Sequence, residues 1–220
     1  MNPQETAERI ESSGILAVVR IPEHNRLMKA CRALAAGGVT GIEITMSVAD
    51  PFEAIRALDE EFGDSILLGA GSVTDEHTAR RSIDAGARYV VSPIFREPVI
   101  SATLKAGAAA IAGAMSPTEA FAAQSAGANI VKIFPADIVG MPYFRSVLAP
   151  MPGLRLMPTG GVTLDNAGDW IRAGAVAVGI GSALLDKSTI ESGDWGELEA
   201  RAEKLSRAVA SSKQRREVDK

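Results

Sequence analysis

The feature that most constrains this chain is a recurrence. Eight short apolar runs lie along its 220 residues: ILAVVR (15–20), GIEITM (41–46), SILLGA (65–70), YVVSP (89–93), AAIAG (109–113), IVKIF (130–134), LRLMPT (154–159) and VAVGIG (176–181). Each follows a glycine within a few residues, at positions 14, 37, 63, 86, 107, 127, 153 and 174, so the spacings run between 20 and 26 residues. Five of these glycines sit in an AGG or AGA triplet.

A helix commonly ends on a glycine, because the residue after its last turn adopts a left-handed backbone. Helical patterns such as MKACRALAA (28–36) and TARRSIDA (78–85) precede the glycines. Helix starts are marked too. SPTE (116–119) reads as a capping box with proline in the first turn, and DPFE (50–53) places Asp50 as a cap before Pro51. Strand, helix and glycine therefore repeat eight times. The runs are almost continuously apolar, as parallel strands covered by helices should be.

Eight such units predict a single (β/α)₈ TIM barrel, an α/β fold, over residues 1–213. A helix at about 3–12 opens it, one at about 195–212 closes it, and a charged tail follows at 214–220. An open doubly wound sheet is the alternative. It usually has fewer units and a glycine-rich turn after its first strand, where this chain reads VVRIPEHN. GAGSVT (69–74) lacks the third glycine of a dinucleotide fingerprint.

Composition narrows the function classes. Hydrophobic residues make up 46% of the chain and its net charge is −4, which argues against a nucleic-acid partner. The lone cysteine, Cys31, lies in an amphipathic pattern and reads as core packing. No apolar run is long enough to span a membrane. The polar start, with three glutamates, does not resemble a signal peptide, so a cytoplasmic protein is expected. The two histidines, His24 and His77, have no ligand-spaced neighbours, so no metal and no cofactor is expected.

In a barrel, side chains alternate between interior and helix layer, and functional groups gather at the C-terminal strand ends. Polar residues inside strands are therefore informative. Lys132 is the one lysine of seven within an apolar run, sharing a face with Ile130 and Phe134. Burial disfavours an ammonium ion, and a neutral amine forms Schiff bases with carbonyls. Glu43 shares a face with Gly41 and Thr45 on the second strand. Strands two and six are both even-numbered and fill common layers, so the two groups can meet. Together they read either as a structural ion pair or as a nucleophile with a proton carrier.

PTGGV (158–162) follows strand seven and GIGSA (179–183) follows strand eight, the usual phosphate site of this fold. A tight turn explains a single GG equally well; two glycine loops in both expected places point to an anion. Arg20 ends strand one as a candidate anion partner, while Ser72, Ser92 and Pro93 close strands three and four.

Together, GGVTGIEITM, GAGSVT, VVSP, SPTEA, VKIFPA, PTGGVTLDN and GIGSAL resemble the 2-keto-3-deoxy-6-phosphogluconate (KDPG/KHG) class I aldolase family, over roughly residues 14–185. The resemblance implies that Lys132 is the Schiff-base lysine and Glu43 the general acid/base. It implies that Thr159, Gly160, Gly161, Gly181 and Ser182 lie near a phosphate, Ser72 near the pyruvate carboxylate, and Pro93 in the pocket wall. It also implies a metal-free, cytoplasmic homotrimer acting in sugar-acid breakdown of the Entner–Doudoroff kind.

Two departures stand out. Many members carry arginine four residues after the glutamate, where this chain has Ser47, and many read PG where it has Ala112–Gly113. With Ser47 there, the resemblance alone does not choose between phosphogluconate and phosphogalactonate types, nor require a phosphate. Arg20 is a candidate replacement. The expected reaction is cleavage of a 2-keto-3-deoxy-6-phospho sugar acid to pyruvate and glyceraldehyde 3-phosphate. The alternatives are a 4-hydroxy-2-oxoglutarate-type aldolase, a phosphosugar epimerase or isomerase, and a non-catalytic sugar-phosphate-binding barrel.

Overall fold

Strand and helix alternate as the repeat requires. The structure, a computed structural model, describes residues 1–218. Helix α1 (Pro3–Ser13) leads into β1 (Ile15–Val19), α2 (His24–Ala36), β2 (Gly41–Thr45), α3 (Pro51–Phe62), β3 (Leu67–Gly71), α4 (Glu76–Asp84) and β4 (Tyr89–Val91). Then follow α5 (Glu97–Lys105), β5 (Ala109–Ala114), α6 (Pro117–Ser125), β6 (Ile130–Ile133), α7 (Ala136–Leu148), β7 (Leu156–Pro158), α8 (Ala167–Arg172) and β8 (Val178–Ile180). Two helices complete the chain, a short α9 (Lys187–Ser192) and a long α10 (Trp195–Val218).

The eight strands form one parallel sheet in the order β7-β6-β5-β4-β3-β2-β1-β8. It closes where Thr159 bridges Gly179 and the Val176 N–H donates to the Leu156 carbonyl at 2.9 Å. This seam is narrow, and a Cβ on Gly179 would overlap the Thr159 hydroxyl, so glycine lets the last two strands meet.

Two apolar layers result. Leu16, Leu67, Tyr89, Ile111, Ile130 and Met157 fill the barrel interior, and Ala7 and Ile10 of α1 join that cluster. Each large side chain removed from water there contributes roughly 1.5–3 kcal/mol. The opposite strand faces, including Ile42, Ile44, Val131 and Ile133, pack under the helices with Phe144 and Trp170. Cys31 belongs to this outer layer, as its amphipathic pattern implied.

Local signals held unevenly. Ser116 and Glu119 form the reciprocal capping box expected of SPTE. Asp50 takes the cap position before Pro51, but its backbone is left-handed and its side chain makes no capping bond. Unforeseen caps occur at Asn2, Asp75 and Asp186. Of the eight repeat glycines, six have positive φ; in the second unit Gly38 takes that role from Gly37, and Gly153 follows a proline-rich loop without it. Helix α10 runs through Val218, so residues 214–218 of the expected tail continue the helix, and 219–220 lie outside the described residues. Among the described residues, no helix is long and apolar enough to cross a membrane.

Candidate active site

Lys132 and Glu43 do meet. They project into the barrel from β6 and β2, with Lys132 Nζ 3.9 Å from Glu43 Oε1. They are 4% and 1% exposed, so the pair is removed from bulk water. Among the described residues, neither carboxylate oxygen of Glu43 has a hydrogen-bond partner. A buried carboxylate left that way is costly unless it is used. The Phe134 ring centroid lies 5.5 Å from the Lys132 amine, on the side that opens to the strand ends.

The space for Glu43 comes from its neighbour. Gly71 pairs with Thr45 across the β2–β3 ladder, and a Cβ there would overlap the Glu43 carboxylate. Lys132 has a similar neighbour in Gly113, its ladder partner on β5. A Cβ on Gly113 would overlap the Pro93 carbonyl, so this glycine brings the segment after β4 across to the lysine. Gly71 did not stand out in the sequence, and Gly113 did so only beside Ala112, where many family members read PG. The signal was present in GAG, where Gly69 and Gly71 occupy one strand face and leave it without side chains.

The phosphate candidates also converge. Arg20, Thr159, Gly160, Gly161, Gly181 and Ser182 line one pocket of about 210 Å³, with Phe134 in its wall. A hollow of about 370 Å³ adjoins it across Arg20 and Ser182. Gly160 and Gly161 have φ of 94° and 69°, a left-handed pair that L side chains rarely adopt. Asn166 braces this loop. Its Nδ2 donates to the Gly161 carbonyl at 2.9 Å, and its Oδ1 accepts from the Thr163 N–H at 2.8 Å. The loop after β8 is braced by Arg201, which donates to the Ala183 carbonyl at 2.7 Å and pairs with Asp186 at 3.1 Å. Asn166 lies only a few residues beyond the glycines it braces, at the end of PTGGVTLDN, whereas Arg201 comes from far along the chain, where no local motif announces it.

Arg20 is exposed and makes no ion pair among the described residues, so its charge is free for an anion. Ser182 is exposed beside it. Pro93 is half-buried near Lys132 through Gly113, whereas Ser72 stands exposed at the end of β3, outside the phosphate pocket. Ser72 has φ 61°, a strained backbone for a non-glycine residue, and such strain concentrates at functional sites. Ser47 supplies no charge; its hydroxyl lies 2.7 Å from that of Thr45, which donates to the Val19 carbonyl at 3.2 Å.

Known proteins share this arrangement of chain. The family profile described as KDPG and KHG aldolase matches residues 6–201. The 2-dehydro-3-deoxy-phosphogluconate aldolase of Pseudomonas aeruginosa is 34% identical over 186 residues, 84% of each chain. The probable 2-dehydro-3-deoxy-6-phosphogalactonate aldolase of Rhizobium meliloti is 33% identical over 181 residues, 82% of this chain and 85% of that one. Among solved structures, the KDPG aldolase of Legionella pneumophila, with pyruvate captured as a covalent carbinolamine, superposes with a TM-score of 0.85 at 26% identity. It covers 93% of this chain and 98% of that one. Eight parallel strands, a lysine and glutamate buried together, and these matches lead to one assignment: the chain belongs to the KDPG and KHG aldolase family.

Proposed function

We propose that the chain is a class I aldolase, a carbon–carbon lyase that cleaves a 2-keto-3-deoxy-6-phospho sugar acid to pyruvate and glyceraldehyde 3-phosphate. The observation that carries this reading is the buried Lys132–Glu43 pair, 3.9 Å apart. The Lys132 amine adds through its nitrogen lone pair to the C2 ketone, and loss of water gives an iminium ion. The Glu43 carboxylate takes the C4 hydroxyl proton as the C3–C4 bond breaks, and its electron pair flows into the iminium to leave an enamine. The aldehyde departs. Protonation at C3 gives the pyruvate iminium, and water releases pyruvate and the free amine.

Arg20, Ser182 and the backbone of Gly160, Gly161 and Gly181 hold the far phosphate, with Thr159 at the pocket floor. Binding energy from that remote group orients the bond to be broken. Pro93 walls the pyruvate end, and Ser72 reaches its carboxylate from the rim. The exposed guanidinium of Arg20 serves a carboxylate as well as a phosphate, which supports 4-hydroxy-2-oxoglutarate as a second substrate class. Gluconate- and galactonate-type relatives match at nearly equal identity, so both configurations belong in the assay.

The proposal extends to a cytoplasmic homotrimer acting in a route of the Entner–Doudoroff kind. Ile94, Met115, Phe121 and Ile138, on the neighbouring β4, β5 and β6 units, are exposed large apolar side chains of the kind an interface between copies would cover. Sedimentation of the purified chain tests the trimer. Incubation with pyruvate and borohydride tests the chemistry. Mass spectrometry should find a reduced pyruvate adduct on Lys132, and its absence from the native protein would end the aldolase reading.

A further inference from the structure

Two glycines on one face of β3 divide the barrel interior between two side chains. A Cβ on Gly71 would overlap the Glu43 carboxylate, and a Cβ on Gly69 would overlap the Tyr89 ring at Cδ2, Cε2 and Cζ. The ladder sets Gly69 between Glu43 of β2 and Tyr89 of β4. A phenol rooted on β4 and lying over Gly69 therefore carries its hydroxyl toward β2, the strand of Glu43. Tyr89 is fully buried. Among the described residues its hydroxyl has no hydrogen-bond partner, and neither carboxylate oxygen of Glu43 has one. Buried polar atoms without partners are rare, and each calls for an explanation. Here a donor and an acceptor stand on either side of one glycine.

We propose that Tyr89 is a positioning residue for Glu43: its O–H donates to the carboxylate through one buried water, favouring the charged form and keeping it turned toward Lys132. The proposal rests on the aldolase reading, in which Glu43 must be ionised to take the C4 hydroxyl proton. A phenylalanine would fill the same slot over Gly69 and leave the carboxylate unserved.

Two further observations agree. Burial, and then the nearby Glu43 carboxylate, push the Tyr89 phenol well above its ordinary value, so it stays a donor wherever the enzyme works. Among the described residues, the buried titratable groups facing this space are Glu43 from β2, Tyr89 from β4 and Lys132 from β6. The other buried polar side chains on these inner faces are Thr45 and Thr159, which do not titrate. The acidic limb of activity therefore reports on very few groups.

Tyr89→Phe tests the proposal in the full chain. The variant should still form the reduced pyruvate adduct on Lys132 and should keep its KM. Its kcat should fall about tenfold, the worth of one hydrogen bond to a charged group. Removing a donor from a carboxylate favours the protonated form, so the acidic limb of the kcat profile should move up by about one pH unit. An unmoved limb, or a loss uniform with pH, would overturn the role of Tyr89. No adduct on the native protein would instead overturn the aldolase reading. Should Tyr89→Phe fail to fold, 3-fluorotyrosine at position 89 replaces it. As the stronger donor it should move the limb to lower pH, and an unmoved limb counts against the proposal.

Discussion

Lys132 and Glu43 face each other across the barrel at 3.9 Å, beyond hydrogen-bond length and almost without solvent. Breaking a buried pair leaves one charge uncompensated, which costs roughly 3–5 kcal/mol, whereas replacing both partners by apolar groups is close to neutral. Lys132→Met should therefore lose about 3 kcal/mol of stability at pH 8. Lys132→Met with Glu43→Leu should recover most of it. Urea denaturation of the two single variants and the double measures the coupling, and simple additivity would contradict it.

Gly71 decides where the Glu43 carboxylate sits, since any Cβ there overlaps it. Gly71→Ala should turn the carboxylate away from Lys132. A misplaced acid/base group forfeits about a hundredfold in rate. The expected signature is a fall of that order in kcat with little change in KM, in a protein whose circular dichroism is native. Near-native kcat would show that the carboxylate has another berth.

Arg201 holds the loop that carries Ser182, through Asp186 and the Ala183 carbonyl. Arg201→Met should loosen the loop without touching the lysine. We expect a loss of about tenfold in kcat/KM for the phosphorylated substrate, within what misplacement of a positioning group causes. Formation of the pyruvate adduct should stay as it is. Equal losses in both measurements would place Arg201 in the chemistry rather than in the loop.

Asp186 also shapes the response to acid. Hydrogen bonds from the Ser188 hydroxyl, then from the Thr189 N–H and hydroxyl, with the charge of Arg201, hold its carboxyl well below the usual range. A folded-state value below the unfolded one adds stability above the unfolded value, near 4, and that stability is lost as pH falls through the folded value. Asp75, held low by its bonds to Thr78, acts in the same sense. Asp186→Asn should show a smaller drop in melting temperature between pH 6 and pH 3 than the parent, read by calorimetry. A drop of equal size would mean that other carboxylates govern acid unfolding.

Burial, and next the charge of Glu61, push the Cys31 thiol up to about 12. Native protein at pH 8 should therefore resist iodoacetamide and label fully once denatured. Rapid labelling of the native form would show that α2 opens locally.

How much of this was readable in advance divides by residue. Lys132 and Glu43 were legible because a charge in an apolar strand violates a local pattern, and strand parity put them on a common layer. That Arg20 and the two glycine loops would line one pocket was legible because the fold gathers its strand ends at one face. Gly71 was not, since a glycine says nothing of which neighbour fills its space. Asp186 carried no signal along the chain; its partner Arg201 lies fifteen positions later, on α10. Tyr89 read only as a bulky strand residue.

The sequence by itself determined the eightfold alternation, the parallel strands and the identity of the buried amine, because periodicity and the cost of burying charge act locally along a chain. The tertiary structure decided the approach of Lys132 to Glu43, the berth over Gly71, the packing of the Tyr89 ring over Gly69 and the bracing of the two glycine loops. Those depend on register and curvature around a closed sheet, where neighbours in space lie tens of residues apart in the chain.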